Sequence, residues 1–223
     1  MSDNLEPVIA KLNDYNSQGL YAEVMAEIDG YISQNENVAG LYVLRGNAQY
    51  GLGRLEEAAE SYATACVLNP MDVGARTNYA SALYSLGNYL EAVNACEAAL
   101  YADDTFVPAY LNAAHCYMAM GHADYAVHHL QRAMEVAPAA VEVTMTAADM
   151  FSELGEYEMA RDTYFKAAKL PDASVDIHER IANFFRAAKD NGIDRSQILS
   201  DLEEWRRRFV NNQDVFRLAS TIM

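Results

Sequence analysis

Glycine recurs in this chain at Gly19, Gly53, Gly87, Gly121 and Gly155, each 34 residues after the one before, with no insertion to break the count. A small or short apolar residue follows each of them five positions later, at Val24, Ala58, Ala92, Ala126 and Ala160. A fixed period of this length marks one supersecondary unit copied in tandem, each copy packing on its neighbours because none buries its apolar face alone. Residues 39–70, AGLYVLRGNAQYGLGRLEEAAESYATACVLNP, show the unit most clearly. Tyr42, Gly46, Gly53, Ala58, Tyr62, Ala65 and Pro70 are spaced there as two short amphipathic helices around one glycine turn. The 52% apolar content sits at helical spacing, with five prolines and no alternating run, so the chain is expected to be all-α.

This period and these positions resemble the tetratricopeptide repeat (TPR) family, whose pattern runs aromatic or bulky residue, Gly or Ala, second aromatic, Gly turn, Ala, aromatic, Ala, Pro. The resemblance covers residues 5 to 174 as five repeats, 5–38, 39–72, 73–106, 107–140 and 141–174. It implies an all-α TPR solenoid of five helical hairpins, with residues 175–223 as C-terminal capping helices. Repeat one departs most: Lys11 stands where a bulky apolar residue is usual, and Asp3 or Asn4 is placed to cap its first helix. Asp72, and Asp104 or Thr105, are placed to cap later first helices. Thr144 at a position for bulk predicts looser packing in repeat five.

Beyond repeat five, Ile177, Ile181, Phe184, Phe185 and Ala188 share one face of a sealing helix. Asp194 and Gln197 make a capping box for a final helix in which Ile198, Leu202, Trp205 and Phe209 form one stripe beside Arg206, Arg207 and Arg208. That helix either docks on a partner or folds back as the cap a solenoid needs.

The net charge of −16 lies entirely on residues 1–174, where 24 Asp and Glu face 8 Lys and Arg; the remainder holds 8 of each. Such a surface repels phosphate, which argues against nucleic acid or a membrane and favours a basic partner or plain solubility. The acidic start lacks a secretory pattern, and no stretch reaches 18 uninterrupted apolar residues, so a cytoplasmic location is expected. Cys66, Cys96 and Cys116 are odd in number and lack CxxC spacing, which points to reduced thiols, with Cys96 and Cys116 at helix interfaces.

In the TPR family the first helices line a concave groove, and the resemblance implies which positions of each repeat face it. These are Ile9, Asn13, Asn16 and Ser17 in repeat one, Val43, Asn47 and Tyr50 in repeat two, and Thr77, Asn78, Ser81 and Tyr84 in repeat three. Repeat four contributes Leu111, Asn112, His115 and Met118, and repeat five Met145, Thr146, Asp149 and Ser152. An asparagine amide both donates and accepts, so Asn13, Asn47, Asn78 and Asn112 suit a peptide backbone regardless of its side chains. The set is similar to the asparagine ladder of the O-linked N-acetylglucosamine transferase superhelix, except that Asn13 and Asn47 hold the ninth position while Asn78 and Asn112 hold the sixth.

The cations of carboxylate-clamping TPR co-chaperones are absent, since Gly40, Val43, Gly74, Thr77, Pro108 and Leu111 occupy those positions. The rest of the wall is apolar, with Tyr50 and Tyr84 placed to stack and Met118 with Met145 adaptable. It suits an apolar or amphipathic segment, as in the acidic TPR chaperones of type III secretion, and self-association would also cover it.

His115, Cys116, His122, His128 and His129 fall in repeat four, but the repeat spreads them, His115 to the groove, His122 to the turn, and His128 and His129 to the outer face. His178 stands alone. No metal, cofactor or catalytic motif is expected. The expected function is a non-catalytic scaffold, adaptor or chaperone that binds a peptide or helix of a partner. The alternative is the substrate-selecting region or subunit of a larger enzyme such as a protein glycosyltransferase.

Overall fold

The computed structural model describes residues 5–171, 176–209 and 213–222. Among the described residues thirteen helices follow one another and no strand occurs. They are α1 (Glu6–Ser17), α2 (Tyr21–Gln34), α3 (Ala39–Gly51), α4 (Leu55–Leu68), α5 (Val73–Ser85), α6 (Tyr89–Ala102), α7 (Val107–Ala119) and α8 (Ala123–Val136). Then come α9 (Val141–Glu153), α10 (Tyr157–Ala167), α11 (Asp176–Asp190), α12 (Arg195–Arg208) and α13 (Gln213–Ile222). Consecutive helices pack as hairpins within two compact units, Met1–Leu130 and Gln131–Met223. The division between repeats and caps after residue 174, and the capping roles of Asp3 and Asn4, lie outside the described residues.

The periodic glycine ends the first helix of each hairpin in the left-handed conformation, with φ between 73° and 81° from Gly19 to Gly155. At Gly53 its N–H donates to Tyr50 O at 2.9 Å while the Arg54 N–H donates to Gln49 O at 2.9 Å, the paired bonds of a Schellman turn. A side chain with a Cβ is strained at that φ, which is why the period is written in glycine. The alanine five residues on enters the helix interface: Ala58, Ala92, Ala126 and Ala160, and Val24 in repeat one, are fully buried.

Three turns between repeats are closed by the fourth residue of the first helix that follows. Tyr42 Oη donates to Glu36 O at 3.0 Å, Arg76 Nε to Pro70 O at 2.8 Å, and Tyr110 Oη to Asp104 O at 3.0 Å. Two tyrosines and an arginine make the same bond, each to a carbonyl six residues back. Asp72 caps α5 by accepting from the Ala75 N–H at 2.9 Å. Neither Asp104 nor Thr105 caps α7, which starts after Phe106 without a side-chain cap. The Thr105 hydroxyl and N–H both donate to Asp103, at 2.6 and 2.9 Å, and this holds the Asp103 carboxyl below its usual range.

Lys11 keeps its charge outward, donating to both oxygens of Glu27 at 2.7 and 2.8 Å, while Leu12 beside it fills the core. In α9, Thr144 is buried and its hydroxyl bonds Ala140 O at 2.9 Å. The bulk missing there stands two turns later at the fully buried Phe151.

In the second unit Ile177, Ile181, Phe184, Phe185 and Ala188 are all buried along α11. The stripe of α12 folds back on them: Trp205 is fully buried, its ring 5.8 Å from Phe185 and 6.0 Å from His178, so His178 is part of an aromatic cluster rather than isolated. Asp194 caps α12 through the Ser196 and Gln197 N–H groups, but Gln197 does not complete the box. Its amide donates instead to Asp201, whose buried carboxylate also accepts from Arg161 at 3.0 Å and from Tyr157 Oη at 2.9 Å.

Candidate functional site

Two adjoining cavities open on the first unit, sharing Tyr50 and Ser81. The larger, of about 520 Å³, is lined from α1 by Asn13, Asn16 and Ser17, from α3 by Asn47 and Tyr50, and from α5 by Asn78 and Ser81. Tyr21 of α2 and Tyr62 of α4 complete it. The smaller, of about 250 Å³, adds Tyr84, Asn112 and His115. No lysine, arginine, aspartate or glutamate lines either one.

The asparagines are wired to one another across repeats. Asn78 donates from Nδ2 to Asn47 Oδ1 at 3.3 Å, and Asn112 donates to Ser81 Oγ at 2.9 Å and Thr77 O at 3.3 Å. The bonds from Asn78 to Asn47 and from Asn112 to Ser81 each run from the sixth position of one repeat to the ninth position of the repeat before. The two positions that divide the asparagine set are therefore the two ends of one recurring bond. Asn47 Oδ1 also accepts from Tyr62 Oη at 2.8 Å, and burial pushes the Tyr62 phenol up, so it remains a donor. The second unit repeats the pattern with charge: Asp149 at the ninth position accepts from Tyr164 and from Arg180 on α11.

These bonds leave amide atoms over. Asn47 Nδ2, Asn78 Oδ1 and Asn112 Oδ1 have no protein partner among the described residues, and neither has the amide of the exposed Asn13. Two donors and three acceptors of neutral amides thus face open space, where a peptide N–H and C=O can replace water. Asn16 is further fixed by its bond to Leu44 O at 3.0 Å.

The apolar residues divide. Tyr84 packs against Tyr89 at 5.4 Å and His115 at 6.3 Å, and Tyr50 reaches Ser85 Oγ at 3.0 Å through its hydroxyl, so the two tyrosines share a cavity without stacking on each other. Val43 is half-buried against Ala58, Ala59 and Tyr62. Thr77 is buried, its hydroxyl on Val73 O at 2.7 Å, and Leu111 and Met118 are half-buried outside both cavities. Met145 is 1% exposed and offers no surface to a ligand, because in α9 this position turns into the core of the second unit with Met150 and Phe151.

Two tyrosines outside the expected groove positions, Tyr21 and Tyr62, show an edge to the larger cavity. Both lie across glycines: a Cβ on Gly46 would stand 2.6 Å from the Tyr62 ring, and one on Gly51 would stand 2.3 Å from that of Tyr21. Gly51 at a groove-facing position is the signal in the sequence that a ring from elsewhere fills that space.

His129 is buried rather than on the outer face, stacked on Tyr117 at 5.3 Å and 6.0 Å from Tyr110. Glu97 lies 3.4 Å from its Nε2, which favours the imidazolium, yet burial dominates and His128 adds to it, holding the imidazole down at about 4. Cys96 and Cys116 are fully buried, and burial pushes both thiols up, Cys116 to about 11, so neither is a thiolate nucleophile near neutral pH. Among the described residues no group of His, Cys, Asp or Glu is placed to hold a metal, and no helix is long and apolar enough to cross a membrane.

The chain is similar in structure to PilW, described as a widely conserved type IV pilus biogenesis factor, at 17% identity and a TM-score of 0.72 over 97% of this chain and 99% of that one. Pseudomonas aeruginosa PilF matches at 15% identity with a TM-score of 0.66 over 96% and 95%. YrrB, described as a TPR protein with an unusual peptide-binding site, matches at 20% identity with a TM-score of 0.57 over 87% and 96%. No curated protein sequence matches the chain. The tetratricopeptide repeat pattern matches residues 43–105 and 111–174, more than half of the chain, and with the hairpins and glycine turns described above this makes the chain a member of the tetratricopeptide repeat family.

Proposed function

We propose that this protein is a non-catalytic interaction scaffold that holds an extended segment of a partner protein in the paired cavities of its first unit. The observation that carries this reading is the uncharged amide floor, where Asn47, Asn78 and Asn112 are oriented by bonds to their neighbours and still present unused donors and acceptors. Amides fixed in place lose little freedom on binding, so each bond to a peptide contributes more than one made by a mobile side chain. The smaller cavity, walled by Tyr50, Tyr84 and His115, takes one bulky apolar side chain and supplies what specificity there is. A ligand carboxylate finds no cation in either cavity, so an internal segment suits the site better than a chain terminus. The peptide-binding site named for YrrB supports the same use of the fold.

The test is a degenerate peptide array probed with the full chain. Asn78→Ala combined with Asn112→Ala should weaken all bound sequences alike, by about 1 kcal/mol per lost hydrogen bond. Tyr84→Ala should change which sequences bind. An array that binds both variants like the wild type contradicts the proposal.

A further inference from the structure

The outward face of α6 departs from its counterparts. As the second residue of the second helix, repeats two, four and five carry Glu56, Asp124 and Glu158, acids that the helix dipole stabilises in a first turn. Repeat three carries Leu90 there, 68% exposed, with its first-turn acid one place later at Glu91. Eleven residues along the same helix Tyr101 is 92% exposed. Asn94 and Glu97, both exposed, lie between them at i+4 and i+7, which makes one stripe with an apolar group at each end about 16 Å apart. Around Leu90 the surface is hollowed by about 460 Å³, walled by Tyr89, Glu91, Asn94 and Met120.

Along this stretch of the chain the charge has one sign. No lysine or arginine occurs between Arg76 and Arg132, whereas Glu91, Glu97, Asp103, Asp104 and Asp124 do. The four cations of the first unit are engaged elsewhere: Lys11, Arg45 and Arg54 pair with Glu27, Asp29 and Glu57, and Arg76 bonds Pro70 O. The ring of His129 beside Glu97 is neutral because it is buried, so it does not compensate the Glu97 charge. A second copy of the same face meets like charge, and a phosphate-bearing surface is repelled as well.

We infer that the outer face of α6 is a docking surface, separate from the groove, for a cationic amphipathic segment of a partner protein. The segment carries two bulky apolar side chains about three helical turns apart, one for the hollow at Leu90 and one to lie on Tyr101, with lysines or arginines between them for Glu91 and Glu97. The apolar pair contributes most of the affinity by burial, and the acids set orientation and speed association.

The probe is a synthetic helical peptide of about fifteen residues, with two leucines eleven apart and lysines between them, titrated against the full chain by fluorescence anisotropy. Saturable one-to-one binding is expected, weakened about tenfold or more by Leu90→Glu and by Tyr101→Ser, as for truncated anchor residues. Both side chains are exposed, and Leu90→Glu restores the acid found in other repeats, so both variants should stay folded by circular dichroism. Asn78→Ala with Asn112→Ala should leave this binding unchanged, which separates its failure from failure of the groove proposal. Leu90→Glu adds negative charge, so equal or tighter binding of the variant would reduce the contact to bulk electrostatics and overturn the inference. Equal binding of the peptide with both leucines changed to alanine would overturn it too. So would a dimer of the chain alone, or its attachment to phosphatidylserine vesicles, if either is lost in Leu90→Glu.

Discussion

The side-chain amide of Asn78 donates to the Oδ1 of Asn47 at 3.3 Å, and the same oxygen accepts from the hydroxyl of Tyr62 at 2.8 Å. One asparagine oxygen therefore joins both helices of repeat two to the first helix of repeat three. The groove floor is part of what holds neighbouring repeats in register.

Removing the acceptor should hurt more than removing the donor. Asn47→Ala strands the buried Tyr62 hydroxyl, at an expected cost of about 1–3 kcal/mol, whereas Asn78→Ala loses one half-exposed bond at about 1 kcal/mol or less. In urea unfolding the double variant should cost less than the sum of the two singles.

Gly46 lies in the interior of α3, where alanine normally stabilises a helix by up to about 1 kcal/mol. Here the sign should reverse, because the added methyl would stand 2.6 Å from the Tyr62 ring. Gly46→Ala is expected to lower stability by about 1–3 kcal/mol, as overpacking does, and Ala92→Leu at its fully buried interface by a similar amount. Thermal and urea midpoints check both.

Asp201 and Arg161 form an ion pair with side chains 4% and 17% exposed, whereas those of Lys11 and Glu27 are 45% and 34% exposed. Asp201→Ala leaves the Tyr157 hydroxyl without its acceptor and takes one of two carboxylates from the guanidinium, which keeps Asp162, so about 1–3 kcal/mol is expected. Glu27→Ala should cost under about 1 kcal/mol. Denaturant unfolding of the two variants compares them directly.

The imidazole of His129 is held at about 4 in the folded chain, below its ordinary 6.5. The unfolded chain therefore takes up a proton first as pH falls, so the neutral, buried ring contributes stability at neutral pH that is lost between about 6.5 and about 4. At about pH 5 the loss amounts to about 2 kcal/mol. His129→Leu should lack it, so the stability gap between variant and wild type should shift in favour of the variant on going from neutral pH to pH 5. Comparing the two chains removes the carboxylates that both share.

The hairpins were legible because each depends on one residue type at one place: a left-handed turn that requires glycine, and a close interface that admits little beyond alanine. Gly192 ends α11 with the same positive φ, but it falls 37 residues after Gly155, so the period does not reveal it. A cavity-lining position followed from the resemblance where a side chain acts alone, as at Asn13. Others were hidden where the role is a pairing: nothing local in the sequence tells that Asn78 meets Asn47, that Tyr62 shows its edge over Gly46, or that Gln197 turns to Asp201 instead of back to Asp194. Repeat position puts His129 on the outer face, yet Tyr117 and Tyr110, large rings from the neighbouring helix, cover it.

Backbone recognition by the amide floor is tested most directly by methylating the peptide's own backbone. A peptide selected from the array is titrated calorimetrically beside analogues carrying a single N-methyl group at central residues, and beside analogues with alanine at the same residues. If Asn47, Asn78 and Asn112 hold main-chain groups, N-methylation at one or two positions should weaken binding by about tenfold, while alanine should matter only at the residue that enters the Tyr50 and Tyr84 cavity. N-methylated peptides that all bind as tightly as the parent would contradict the account.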